Sequence, residues 1–473
     1  MPRWFGLLCV ATALASAQAV RVDTIGWTTR DRQVYGPALR LVAYDSLSGT
    51  HACWKDGLGE IRYNYRSRRG AWRWPNGVLV NSLPRSLGSL DYDASRGRAF
   101  ISADYLDRTD PAASVFTDTG RGTGVFVETD LGTGFRPALV GAANFGYTKF
   151  AALRNETLFY RSVLAGYRVG YVGPFPAFNL GVSKQSGRYG YIWAVTDGDS
   201  VGRLYLKQTP NNGANWYATV ALSDSVPSDL NLSLLSGSAA YDSIRVHLVA
   251  DLFDGSDRNN VEIWHYCPYD TPPWHLVHAY QLPESVRIGD AALAACRPSI
   301  GIDRRRREYY CAWEQFDPDN VDPVTGLARA SVWAARSTDR GLHWGPALRL
   351  TPPGDRSLRF PYLAEDVADT LVVICFADSV AGFSEQGQGP PSTNPVLCLR
   401  VPAATLPVAV AENAKPPDLP VPGPTIRQVA DFRSLGSSPA YDALGRRLGP
   451  ARPTSGVYFI RSGALVRRVV VLP

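Results

Sequence analysis

The sequence predicts an all-β chain: a seven-bladed β-propeller, a proline-rich linker and a small β-sandwich-like C-terminal domain. Three observations carry this expectation. The 473 residues include 43 Gly, 35 Pro, 23 Tyr and 12 Trp but one Met, a composition of short strands joined by many turns. Apolar runs ending in a polar residue recur as "HACWKD", "AFISAD", "KFAALR", "GYIWAVTD", "HLVAD", "YYCAWE" and "VICFAD", seven in all. Their spacing, roughly 40–60 residues, is that of propeller blades, and each run has a strand-like run before and after it. The third unit is short, so six or eight blades are the alternatives.

In chain order, residues 1–19 come first, "MPRWFGLLCVATALASAQA". Arg3, a short apolar run and a small-residue end read as a secretory signal peptide cut after Ala17 or Ala19. The run is too short to span a bilayer, and no later segment has the length and apolarity to do so. A lipoprotein reading through Cys9 is weaker, because Leu8 is bulkier than such a site prefers. Next, "VRVDTIGW", Val20 to Trp27, is a strand without a unit of its own. Six units carry a fourth strand and the seventh does not. The N-terminal strand is therefore expected to complete the last blade and close the ring, which removes exposed sheet edges. The propeller is assigned to residues 20–401, the linker to 402–425 and the C-terminal domain to 426–473.

The formal charge is +6, from 49 basic and 43 acidic residues interspersed without a sustained basic run. That pattern is a solvated surface, not a nucleic-acid footprint. Six cysteines follow the leader: Cys53, Cys267, Cys296, Cys311, Cys375 and Cys398. Either Cys296–Cys311 and Cys375–Cys398 face each other across hairpins, or the thiols pack as small apolar groups. No cysteine–histidine spacing suggests zinc, and no metal site is assigned.

Between the third and fourth strands of unit six lies Ser337-x-Asp339-x-Gly341-x-x-Trp344, and unit four has Thr209-x-Asn211-x-Gly213-x-x-Trp216 at the same place. The Asp or Asn bonds back to the turn's N–H groups, Gly takes positive φ, and Trp packs on the blade. Worn versions stand at Asp118 with Gly120, and at Gly70 near Trp72. These motifs resemble the Asp-box, or BNR repeat, of the sialidase-like propellers over roughly Val20 to Arg400. In that superfamily the box lies on the outer rim, so the resemblance implies a structural role and not catalysis.

Chemistry is expected where inner strands begin and second strands end. The second strands are expected to end at Asp56, Asp104, Arg154, Asp197, Asp251, Glu314 and Asp378, and at the entry to inner strands Arg136 and Arg297 precede Pro137 and Pro298 while Arg359 sits two residues before Pro361. Acids beside arginines around a mouth suit glycoside chemistry or an anionic ligand. The sialidase resemblance implies an arginine triad of Arg136, Arg297 and Arg359, Glu314 with Tyr362 as the nucleophile pair, and Asp56 or Asp104 as acid. The chain departs from that family in lacking an Arg-Ile-Pro segment and in its blade number. The bland alternative is that acids start turns and Arg-Pro is an ordinary extended dipeptide. Asp251 begins "DLFDGSDRNN" and Phe316 begins "FDPDNVDP", loops rich in oxygen ligands that make Ca2+ an option, though neither has EF-hand spacing. The histidines are scattered along the sequence, with no order suggesting a Ser/His/Asp triad.

At the end of the chain, "YDALGRRL", "SGVYFIRSG" and a terminal basic-then-valine strand resemble the C-terminal sorting domain of the type IX secretion system. They also resemble the immunoglobulin-like module of the flagellar hook-capping family. The resemblance implies passage across a bacterial outer membrane, with secretion machinery as a partner. The expected function is a secreted or surface-attached propeller binding an extracellular glycan or surface protein. The alternatives are a sialidase-like exo-glycosidase and an envelope scaffold.

Overall fold

The computed structural model describes residues 20–33, 40–45, 47–81, 89–93, 95–104, 112–133, 136–142, 148–154, 157–161, 166–171, 177–183, 188–196, 202–211, 214–226, 230–233, 237–255, 257–409, 425–427, 440–442, 456–462 and 465–471. Side chains are described outside 104–113, 131–179, 182, 189–203 and 410–473. The proposed leader, residues 1–19, lies outside the described residues. The chain divides into two compact units, Met1–Ala409 and Val410–Pro473.

In the first unit, the described residues form seven antiparallel sheets, each built from consecutive strands running from the inside outwards. Blade 1 is Val42–Asp45, Gly49–Lys55, Ile61–Ser67 and Val78–Leu79; blade 2 is Ser89–Asp93, Arg98–Asp104, Ala112–Asp118 and Phe126–Thr133. Blade 3 is Arg136–Ala142, Thr148–Arg154, Thr157–Arg161 and Gly166–Tyr171; blade 4 is Ala177–Val182, Tyr189–Thr196, Gly202–Thr209 and Val220–Ala221. Blade 5 has a divided inner strand, Asn231–Leu232 and Ser238–Tyr241, then Val246–Phe253, Asn260–Tyr266 and Trp274–Gln281. Blade 6 is Ala295–Asp303, Glu308–Val321, Ala328–Ser337 and Leu348–Arg349; blade 7 has Ser357–Leu363, Thr370–Asp378 and Asn394–Pro402. Its fourth strand is Arg21–Thr28, antiparallel to Asn394–Pro402, so the chain closes on itself. Inner strands of successive blades pack on one another and blade 7 meets blade 1, which makes a seven-bladed propeller.

The second strands are continuous apolar runs because neighbouring blades cover both of their faces. Gly49–Lys55 is buried throughout, and Thr370–Asp378 is buried after its first residue. Packing runs past Pro402, since Ala403 and Leu406 are buried against blade 7. All six cysteines are free and buried, which corrects the disulfide option. The register explains this: Cys296 lies opposite Glu314 and Cys311 opposite Ile300, while Cys375 lies opposite Leu397 and Cys398 opposite Ile374.

The second unit carries a four-stranded sheet among its described residues, in the order Thr425–Arg427, Leu465–Val471, Gly456–Ser462, Ala440–Asp442. The first pair is parallel and the others are antiparallel.

Candidate functional site

The three arginines picked from the sequence share a backbone feature. The inner-strand register shifts between Arg136 and Ala138, between Cys296 and Ser299, and between Arg359 and Tyr362. Pro137, Pro298 and Pro361 sit in these bulges, where a residue without an N–H costs the ladder nothing. The bulges are not ordinary extended dipeptides: Arg297 has φ +55° and Phe360 has φ +53°. The side chain of Arg136 lies outside the described residues.

The shifts turn Arg297 and Arg359 onto one carboxylate. Glu314 on the second strand of blade 6 is 0% exposed, Arg297 2% and Arg359 3%. Glu314 Oε1 pairs with Arg297 Nη1 and, at 3.2 Å, with Arg359 Nε, and it also accepts the Cys296 thiol at 3.2 Å. Its Oε2 accepts the Phe360 N–H at 2.7 Å. Burial pushes the Glu314 pKa up, but Arg359, Arg297 and the Phe360 N–H outweigh it and hold the carboxyl below its ordinary value. The Arg297 guanidinium lies 4.7 Å from the Phe360 ring centre, and Arg359 lies 5.1, 5.5 and 4.8 Å from Phe316, Phe360 and Phe383.

The same device recurs one blade earlier. Asp251, at the corresponding place on blade 5, accepts the Arg297 N–H at 3.1 Å, as Glu314 accepts that of Phe360 on blade 7. Ser238 likewise accepts the Ile300 N–H at 3.3 Å and Ser299 that of Leu363 at 2.8 Å. These two acids do not end their strands as expected, Glu314 lying within Glu308–Val321 and Asp251 within Val246–Phe253, and they act as fasteners between blades, each satisfying a bulge N–H of the next inner strand.

Tyr362 belongs to a different network. Its hydroxyl bonds Arg40 and Ser238, and burial raises its pKa to about 12. Arg40 contacts Asp91 of blade 2 at 3.3 Å, Glu365 beyond the inner strand of blade 7 at 2.9 Å and the Leu180 carbonyl of blade 4 at 2.7 Å. Blades 4 and 7 are not neighbours in the ring, so this single guanidinium ties together blades that do not pack side by side. Arg304 extends the network: it pairs with Glu365 at 2.7 Å and with Asp366, and it donates to the Tyr241 carbonyl at 2.9 Å. Tyr92 donates to Asp366 at 2.8 Å.

The structure brings Arg297, Glu314, Arg359 and Asp251 together and places Tyr362 elsewhere. Asp56 is spent on Arg62 at 2.8 Å and on the Leu58 and Glu60 N–H groups. The side chain of Asp104 lies outside the described residues. In the loops weighed for Ca2+, Asp317 pairs with Arg349 and Asp322 with Arg329, while Asp254 and Asp257 accept N–H groups of their own turn.

In the Asp-box turn, Ser337 Oγ donates to Asp339 and accepts the Gly341 N–H, both at 2.8 Å, and Asp339 accepts the His343 N–H at 2.9 Å. Gly341 has φ +91°, and a Cβ there would lie 2.3 Å from the His265 ring. The Trp344 indole N–H returns to the Gly341 carbonyl at 3.1 Å. In blade 4, Asn211 accepts the Asn215 N–H at 2.8 Å, Thr209 is buried and Trp216 packs on the core; Gly213 lies outside the described residues.

Two features escaped the sequence reading. Arg40 stands three residues past Pro37 and not before a proline, so no Arg-Pro pattern marks it. Three of the six histidines, scattered in sequence, converge in blade 5: His247 Nδ1 meets His265 Nε2 at 3.0 Å, and His265 and His275 stack at 6.0 Å. Each of the three stands on a different strand, so no pattern within a strand signals the cluster.

No protein-family model and no curated protein matches the sequence. Among solved structures, the chain is similar to an ulvan lyase of a new polysaccharide lyase family, at 10% identity, 78% of this chain, 100% of that chain and TM-score 0.49. It is also similar to a lectin from Burkholderia pseudomallei, at 14% identity, 76% and 99% coverage and TM-score 0.47. A third is the endosialidase of phage phi92, at 10% identity, 81% and 69% coverage and TM-score 0.43. Among the described residues, no helix is long and apolar enough to cross a membrane.

Proposed function

We propose that this chain is an exported propeller that binds an extracellular glycan or surface protein without turning it over. The observation that carries the reading is Glu314. A sialidase-type nucleophile needs this carboxylate beside a tyrosine hydroxyl and open to substrate, whereas Glu314 is 0% exposed and both its oxygens are taken. The Asp-box motif itself speaks only to the fold, and a glycan ligand is supported by the resemblance to sialidases, whose arginines hold a sugar carboxylate. A panel of fluorogenic glycosides that includes a sialoside is expected to give no turnover, while a glycan array gives binding. Hydrolysis of any of these glycosides by the parent chain overturns the reading in favour of the exo-glycosidase.

The export half rests on the leader-like residues 1–19 and on the likeness of residues 426–473 to type IX sorting domains. Deleting 426–473 is expected to trap the chain in the periplasm of a host with that machinery. Unchanged surface display overturns it.

A further inference from the structure

The third-to-fourth strand turn of blade 1 occupies the position of the Asp-box turns but carries different chemistry. Ser67 ends its strand as Ser337 and Thr209 do, and Trp74 follows seven residues later as Trp344 and Trp216 do. At the place of Asp339 stands Arg69, and at that of Gly341 stands Ala71. An arginine has no acceptor for the turn's own N–H groups. The turn is held instead by Asn64, whose side chain donates to the Trp74 carbonyl at 2.7 Å and accepts the Trp74 N–H at 3.3 Å, and by the Arg73 N–H on the Tyr65 carbonyl at 2.9 Å. The substitution frees an outward-facing position from its structural duty.

The same turn walls a cleft of about 720 Å³ between blade 1 and the closing strand of blade 7. Arg66, Arg69, Arg73 and Arg400 line it with Trp72 and Trp74, and Asp23 is the acid that lines it. Asp23 is already engaged, taking Arg400 Nε at 3.2 Å and the Trp72 indole N–H at 3.2 Å. Arg73 donates to the Gly122 carbonyl and lies 5.1 Å from the Trp74 ring centre. Among the described residues, no carboxylate pairs with Arg66, Arg69 or Arg73. Burial and then repulsion from Arg400 push the Arg66 pKa down, a cost that a bound anion relieves.

Resting on the binding reading above, we infer that this cleft is the ligand site and that it takes an acidic saccharide, one bearing a carboxylate or a sulfate ester. A guanidinium fork matches two oxygens of either group, and an indole face offers apolar contact to the C–H face of a sugar ring. The volume is that of a small-ligand cleft, which suits a short saccharide, whereas a nucleic acid needs a basic stripe that follows its backbone. The arginine run outside the cleft, Arg304–Arg307, offers no such stripe, because Arg304 pairs with Glu365 and Asp366 and Arg305 and Arg306 share Asp369.

The test measures binding of the full chain by affinity electrophoresis in polygalacturonate, dextran sulfate and neutral dextran, with a single-stranded oligothymidylate as competitor. One or both acidic polymers should retard the protein while neutral dextran does not, and the responding polymer tells carboxylate from sulfate. Arg66→Gln and the exposed Arg69→Glu should each weaken that binding by about tenfold or more, the loss of a charge-assisted contact. Arg69 makes no described side-chain contact, so its variant keeps the fold intact. Acidic-polymer binding unchanged in both variants overturns the cleft site but leaves the propeller a binder. Binding confined to a neutral glycan does the same. No saccharide binding at all overturns the saccharide site and the glycan half of the binding reading, leaving a surface protein as its ligand, and tighter binding of the oligothymidylate overturns the saccharide assignment.

Discussion

Glu314 is the residue whose replacement is most informative about stability. In Glu314→Gln the amide keeps the shape but removes the carboxylate that Arg297 and Arg359, 2% and 3% exposed, share. Breaking a buried ion pair from one side costs about 3–5 kcal/mol, so the urea midpoint should fall substantially. A variant as stable as the parent would show that the three groups are not an energetic unit. The residue types at this site were legible in the sequence, because acids closing the apolar runs and arginines one or two residues before prolines recur in register. Their partnership was not. Arg359 and Glu314 are separated by 45 residues and meet only across a blade interface, which no strand pattern encodes. The pairing of Glu314 with Tyr362 failed for a related reason: the bulge at Arg359–Tyr362 turns the strand, so Tyr362 points to Arg40 while Phe360 presents its N–H to Glu314.

At the level of elements, the closing strand Arg21–Thr28 was readable because it was the one strand-like segment without a unit, and blade 7 lacked its fourth strand. What the pattern could not show is how tightly the strand is seated. The register shifts between Thr24 and Gly26, and a Cβ on Gly26 would lie 2.1 Å from Trp54 Cζ2, a side chain only 1% exposed. Gly26→Ala should therefore cost about 1–3 kcal/mol by overpacking, seen as a lower thermal midpoint. Removing residues 20–28 altogether exposes the edge of Asn394–Pro402 and deletes Asp23, the partner of Arg400. That truncation should self-associate in light scattering, since an unpaired edge strand invites another chain. A monodisperse truncation with unchanged melting would mean the ring does not depend on its closure.

For the molecule as a whole, the ring was legible from repetition alone, whereas its polar interior was not, because single histidines and arginines carry no periodicity. That interior makes stability depend on pH. Burial pushes the His51 pKa down to about 4. Burial, with His247 and His275 alongside, holds His265 well below its ordinary value. His247 is also lowered by burial, against the pull of Asp242, whose carboxylate lies 3.6 Å away and faces it together with the Tyr309 hydroxyl at 3.2 Å. These rings are neutral in the fold, while in the unfolded chain each takes a proton below about pH 6.5. The unfolded state then binds more protons, so this contribution is complete above that pH and is lost as pH falls towards 4. Each such histidine contributes a slope of about 1.4 kcal/mol per pH unit in that window. Glu314 and Asp339, whose pKa values are depressed, add their own loss only below the ordinary carboxylate range. Urea midpoints should therefore hold near pH 7.5 and fall steadily from about pH 6.5 to 4.5, before the carboxylates titrate. His265→Gln, which removes one of the neutral rings, should flatten part of that fall, and a profile level from pH 7 to 5 would refute the account.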